Sequence, residues 1–201
     1  MTFKEKRKKL QTLYEIFETN AYVYKEHAIC KIGCSYCCTD AGKIDILTIE
    51  GLIIRERLNR MPKPLKKAIK KKIEQDKRMK ENKKIASCPF LKEDNTCLIY
   101  DIRPFCCRRL YSVQECRGRG PTLHRQASEM AKNTVREMQR LDHTGYSGHL
   151  SFILDLLDQT DFRRLYLSGG FDPRKIIAFG KAHDIIINTI VSQSDERIQF
   201  S

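Results

Sequence analysis

The sequence contains no tryptophan and only 8% aromatic residues, so a core must be built mostly from aliphatic side chains. No stretch approaches the roughly 18 consecutive apolar residues that a membrane span requires, and no transmembrane helix is expected. The basic start Met-Thr-Phe-Lys-Glu-Lys-Arg-Lys-Lys-Leu runs into an amphipathic stretch. It offers neither an uninterrupted apolar segment nor a small-residue cleavage site, so no secretory signal is read. That points to the cytoplasm, where thiols stay reduced. The G-x-x-x-x-G-K-[ST] phosphate loop and the Gly-rich dinucleotide turn are both missing, and Gly118, Gly120, Gly169 and Gly170 do not replace them. Ser-His-Asp catalysis has no local signature, and no internal repeat is found.

What is present is basic and rich in sulfur. The 201 residues suit one domain, or a domain with an appended subdomain. The formal charge is +13; eight thiolates on two divalent ions would lower it by 4 and leave the chain basic. Nine cysteines in a reducing compartment favour metal ligation over disulfides, and an odd number cannot pair completely.

Apolar spacing predicts a mainly α scaffold with irregular cysteine-rich loops and one short β-hairpin. Leu10, Leu13, Phe17, Ala21 and Tyr24 mark one face of a first helix. Ile44 and Ile46 suggest a short strand, after which Thr48 reads as the N-cap of a helix bearing Leu52, Ile53 and Leu58. Lys63 to Lys84 carries eleven Lys or Arg against three acids, with Leu65, Ile69 and Ile73 as a narrow apolar stripe. Phe90-Leu91 and Leu98-Ile99-Tyr100 flank a polar Glu93-Asp94-Asn95-Thr96 turn, the hairpin pattern. Asp101 reads as the cap of a short helix bearing Cys106 and Cys107.

Arg117 to Pro121 breaks the chain. Leu123, Ala127, Met130, Thr134, Met138 and Leu141 define a strong helix, and Leu150, Ile153, Leu154 and Leu157 another. Asp172-Pro173 starts a last one with Ile176, Ile177, Phe179, Ile186, Ile187 and Ile190. The expected division is a cysteine-cluster domain over residues 1–141 and a helical extension over 142–201.

Cys30 to Gly42 has no periodicity and reads as a loop folded around something. It holds Cys30, Cys34, Cys37 and Cys38; the second group is Cys88, Cys97, Cys107 and Cys116. Two sulfurs in a Cys-x2-Cys turn can face one ion, and two such turns close a tetrahedral zinc site or hold an iron–sulfur cluster. The last 85 residues contain no cysteine, so the nine are confined rather than scattered. Cys37 and Cys38 are neighbours and pose a geometric choice: a tight turn aims both at one ion, or they serve two sites. Cys88, Cys97 and Cys107 lie too far apart in sequence to close a site alone, so the two groups are expected to meet.

Cys34-Ser-Tyr-Cys37-Cys38, then Cys88-Pro-Phe-Leu, then Cys97-Leu-Ile-Tyr-Asp-Ile-Arg-Pro-Phe-Cys-Cys107-Arg resemble the YkgJ-type cysteine-cluster family. The resemblance covers roughly Cys30 to Cys116. It implies a zinc- or iron-chelating domain with Cys30, Cys34, Cys37, Cys38, Cys88, Cys97, Cys107 and Cys116 as ligands. The first spacing is three residues where the family has two, and Cys106 stands where the motif requires no cysteine. The same domain is known from flagellin lysine methylases. Cys30-x3-Cys34-x-Tyr36-Cys37 also matches the pattern with which radical S-adenosylmethionine enzymes hold a [4Fe–4S] cluster, though no strand–helix repeat follows it.

Arg103, Arg108 and Tyr100 lie inside the motif; the two arginines read as holding carbonyls or offsetting thiolate charge. His27, three residues before Cys30, reads as a helix-end histidine, and His124, His143, His149 and His183 show no paired spacing with a cysteine. The Lys63–Lys84 segment could meet nucleic acid or an acidic surface. Three functions therefore follow: a metal-binding cysteine-cluster protein, an iron–sulfur methylase, or a structural zinc module with a nucleic-acid-binding helix.

Overall fold

The computed structural model describes residues 1–39, 44–116 and 120–185. Helix α1 spans Phe3–Asn20, followed by a 3-10 turn at Tyr22–Lys25; a one-turn helix α2, Tyr36–Thr39, lies inside the expected cysteine loop. Strand β1 is Asp45–Leu47, α3 is Thr48–Asn59 and α4 is Lys63–Glu81. A 3-10 turn at Tyr100–Ile102 and the short helix α5, Phe105–Arg108, precede α6, Arg125–Leu141. Strand β2 is Ser147–His149, and α7 (Leu150–Asp158), α8 (Thr160–Leu167) and α9 (Pro173–His183) follow. The protein is mostly helical, with one small antiparallel sheet among the described residues. Ile186, Ile187 and Ile190 of the expected last helix, Arg117 to Arg119 of the expected break and the end of the Cys30–Gly42 loop lie outside those residues. No described helix is long and apolar enough to cross a membrane.

The sheet joins segments a hundred residues apart: Ile46 pairs with Gly148 and Leu47 with Ser147. Strand alternation sends neighbouring side chains to opposite faces, and β1 uses this to serve two cores. Ile46 packs with Leu52, Ile54, Leu58, Ile153 and Leu157, while Leu47 packs with Leu10, Phe17, Ile49, Ala131 and Met138. Each such side chain contributes about 1.5–3 kcal/mol on full burial. Helices α3 and α7 come so close that a Cβ on Gly51 would stand 2.7 Å from Leu157 Cδ1 and 2.9 Å from Ile153 Cγ2. A larger residue there must push the two helices apart.

Thr48 does not cap α3 through its side chain. It is the first helical residue, and its hydroxyl donates to the Tyr146 carbonyl at 3.0 Å and accepts from the Tyr146 N–H at 2.7 Å. The N-cap is Leu47, whose N–H donates to Glu50 Oε2 at 2.8 Å. Asp101 likewise lies in the 3-10 turn, paired with Arg57, and Pro104 is the residue that caps α5. The hairpin pattern at 90–100 yields a turn with Asn95 at φ +61° and a single bridge, Leu91 to Cys97.

Candidate metal centre

Two irregular segments carry the cysteines, and three apolar anchors fix the second against the scaffold. Phe90 and Ile99 enter the first core, and Phe105 enters the second, edge-on to Phe17 at 4.8 Å. Glu50 secures this placement from α3: its Oε1 accepts the Phe105 N–H at 2.7 Å and also the Tyr14 hydroxyl. Helix α5 is thus pinned at its first residue, which fixes Cys106 and Cys107 behind it.

The first segment is held by its backbone. Ile29 N–H donates to the Ser112 carbonyl at 2.9 Å, and Ser112 N–H returns to Cys30 Sγ at 3.3 Å. Gly33, at φ +86°, turns the chain, with Cys34 N–H on the Lys31 carbonyl. Ser35 Oγ reaches Asn95 Oδ1 at 3.2 Å, tying this loop to the Leu91–Cys97 turn. Burial raises the Cys30 thiol, and the thiolates of Cys34, Cys116 and Cys37 raise it further, against the Ser112 N–H. Cys30, Cys34, Cys37 and Cys116 are therefore electrostatic neighbours; the first three are exposed and Cys116 is buried.

The second neighbourhood starts from a backbone contact between the two segments: Cys88 N–H donates to the Cys38 carbonyl at 2.7 Å. Burial pushes the Cys88 thiol up to about 12, with the charges of Cys107 and Cys97 adding to it. Burial also raises Cys97, where Cys107 again adds and Arg103 opposes. Cys38 is pushed far up by its hydrogen bond to Cys37, then by burial, with Cys88 and Cys107 contributing. Cys37 is drawn down to about 6 by the same bond, and the Arg103 guanidinium also favours its thiolate. The vicinal pair shares one proton, which is why the two move in opposite directions.

Cys37 and Cys38 stand side by side on α2, and the backbone of Cys38 is one of the places where the first segment meets the second. The charge of Cys37 acts on Cys30, and those of Cys88 and Cys107 act on Cys38. Cys106 Sγ is 3.8 Å from Cys107 Sγ, but the other charges acting on it are those of Glu50 and Asp45, on the scaffold side.

Arg108 binds carbonyls and an acid: Nε donates to Arg103 O at 2.8 Å, Nη2 to Asp101 O at 3.0 Å and Nη1 to Glu18 at 2.9 Å. Arg103 stacks over the Tyr100 ring at 4.2 Å, and its charge acts on both Cys37 and Cys97. The histidines serve elsewhere: His124 caps α6 and stacks on Tyr24, His149 caps α7, and His183 meets Glu81 at 2.6 Å. Sequence reasoning missed Ser112, whose role comes from its backbone and carries no sequence signal, and read Asn95 only as part of a polar turn, not as the side chain that receives Ser35. It also missed Glu50, for which a carboxylate inside the apolar run Ile49 to Ile54 was a usable sign.

Among the described residues, no three His, Cys, Asp or Glu side chains form a group ready to hold an ion. The donor set nonetheless fits a thiophilic metal, because cysteine thiolates are ligands for both zinc and iron. Free thiols so crowded repel one another when ionised, and a cation is the partner that relieves this.

Residues 29–144, more than half of the chain, match the family CxxCxxCC, described as a putative zinc- or iron-chelating domain. No curated protein and no solved structure matches the chain.

Proposed function

Because this chain belongs to the CxxCxxCC family of zinc- or iron-chelating domains, we propose that it binds two adjoining metal centres. Cys30, Cys34, Cys37 and Cys116 hold one, and Cys38, Cys88, Cys97 and Cys107 hold the other. The observation that supports this reading is the contact at α2: the Cys88 N–H donates to the Cys38 carbonyl at 2.7 Å, so the segment bearing Cys30, Cys34, Cys37 and Cys38 meets the one bearing Cys88, Cys97 and Cys107. Zinc or iron, once bound, neutralises the thiolates and crosslinks segments that share little apolar core. Arg103 offsets charge between the centres, Ser112 and Asn95 fix the first loop, and Glu50 fixes α5. Binding free energy then becomes folding free energy for both cysteine segments. Residues 146–167 act in this reading as part of the scaffold that carries the cysteine segments, with β2 paired to β1 and α7 packed on α3.

Iron, zinc and acid-labile sulfide per chain, measured on anaerobically purified protein, test the proposal. Cys37→Ser and Cys38→Ser should each lose about half of the metal, because each removes a ligand from one centre. Cys106→Ser should keep all of it. Loss of all metal in both single variants would mean one shared centre and overturn the division; full metal in both would remove the pair from the ligand set.

A further inference from the structure

Helix α4 carries a surface that the metal centres do not use. Its buried stripe is Ile69, Ile73 and Asp76. On the flank towards α7 the lysines are neutralised: Lys70 Nζ is 2.7 Å from Asp158 and Lys77 Nζ is 3.1 Å from Asp155. The opposite face is different. At roughly 100° per residue, Lys67, Lys71 and Arg78 fall within about 40° of one another, directly away from the core, and Lys63 stands one turn before them. All four are exposed, and none has an acidic partner among the described residues. Glu74 and Glu81 are the carboxylates on that side, and Glu81 is taken by His183 at 2.6 Å. The row is about 22 Å long at about 1.5 Å per residue.

We propose that this face docks on the phosphate backbone of double-stranded nucleic acid, without regard to sequence. A duplex presents about one negative charge per 1.7 Å of axis, and a line of cations spaced by helical turns can neutralise several of them while releasing counterions. Two features choose a duplex over other polyanions. An anionic membrane favours a helix with an apolar face to insert, but Ile69 and Ile73 are spent in the core. Leu65, at 38% exposure, is the only large exposed apolar side chain on α4, and it lies in a groove with Phe90 and Leu98. A single strand favours aromatic stacking platforms, and residues 63–81 contain no aromatic side chain. Phosphate contacts alone account for a row of four cations, and nothing in it calls for base readout.

The test uses the full chain with its metal, as purified, and fluorescence anisotropy with a labelled duplex DNA of about 20 base pairs. Four phosphate contacts predict a log–log salt slope of about −3.6, a loss on the order of a hundredfold between 50 and 200 mM salt. Lys63→Gln, Lys67→Gln, Lys71→Gln and Arg78→Gln together should flatten that slope nearly to zero. A control carrying Lys8→Gln, Lys9→Gln, Lys132→Gln and Arg136→Gln, of equal charge change, should keep it. Metal content and circular dichroism of both variants should match the parent, which separates failure here from failure of the metal reading. Absence of salt-dependent binding by the parent, equal loss in both variants, or tighter capture by anionic phosphatidylserine vesicles than by the duplex overturns the proposal.

Discussion

The strand–helix scaffold (44–58 with 146–167) and the cysteine segments (26–39 with 88–116) are built on different principles. The scaffold is apolar and closely packed: Ile49, Ile54, Ile153 and Leu157 are fully buried, and α3 and α7 touch through Gly51. Most of the polar groups buried against it are satisfied in place, His149 Nε2 being an exception. Asp142, for instance, accepts from Lys6 at 3.1 Å, Tyr166 at 2.6 Å and the Ile49 N–H at 3.1 Å. The cysteine segments have one-turn helices, a single β-bridge and backbone-to-backbone ties, and they send only a few anchors such as Phe90, Ile99 and Phe105 into the cores. Burial can therefore carry the first region, while the second needs another source of order, which the proposed metal supplies.

That contrast can be broken most forcefully at the core. Ile153→Ala removes a fully buried side chain from the α3–α7 contact and should cost about 2–5 kcal/mol of global stability. Denaturant melts would show this, with metal per folded chain unchanged; a loss of metal at constant stability would mean the regions are not separable in this way. Glu50→Gln comes next. The carboxylate accepts Leu47 N–H, Phe105 N–H and the Tyr14 hydroxyl, and an amide must turn a donor towards one of them. A cost of about 1–3 kcal/mol is expected, together with weakened metal retention because α5 is loosened. Chelation should act most locally. It should raise amide exchange in residues 30–39 and 88–116 by at least about tenfold while α3 and α7 stay protected; uniform exposure would show that the scaffold depends on the metal too.

The two regions were also unequally legible. Helix α6 follows from Ala127, Met130, Thr134 and Met138 at alternating spacings, and α9 from Asp172 as cap with Pro173 after it. The sheet was half legible. Ile44 and Ile46 announce β1, but Ser147-Gly148-His149 has no strand pattern, because its pairing is imposed by Thr48 gripping Tyr146. Asp101 and Thr48 look like caps in sequence, yet tertiary partners claim both. For the site, residue type and confinement pointed to eight sulfurs, but the proposed sorting into two centres turns on one turn of helix that carries Cys37 and Cys38. A tertiary hydrogen bond from Cys88 positions that turn, and no local pattern records it.

The smallest effect lies at His149, where the scaffold meets α4. Its Nδ1 sits 2.9 Å from Ser151 Oγ and 3.5 Å from Asp76 Oδ2, and its other partners are the Phe152 ring and, through its charge, Lys80. Burial, then the Lys80 ammonium, lowers the imidazole from 6.5 to about 4. The unfolded chain therefore takes up a proton that the folded one refuses. By linkage, His149 contributes stability that is complete above about pH 6.5 and is lost as pH falls towards about 4. Asp76 acts in the opposite sense: burial raises its carboxyl above 3.8, so its contribution is present in acid and lost as pH rises through that raised value. The buried carboxyls of Glu50 and Asp142 are raised in the same way, so the net slope between pH 6.5 and 4 is shallower than His149 alone would give, and the variant isolates the part that belongs to His149. His149→Asn keeps an acceptor to cap α7 and removes the titration. Urea midpoints taken across this window should fall less for the variant than for the parent. Equal falls in parent and variant would mean that His149 takes up no proton on unfolding in this window, and the neutral buried imidazole would have to be abandoned.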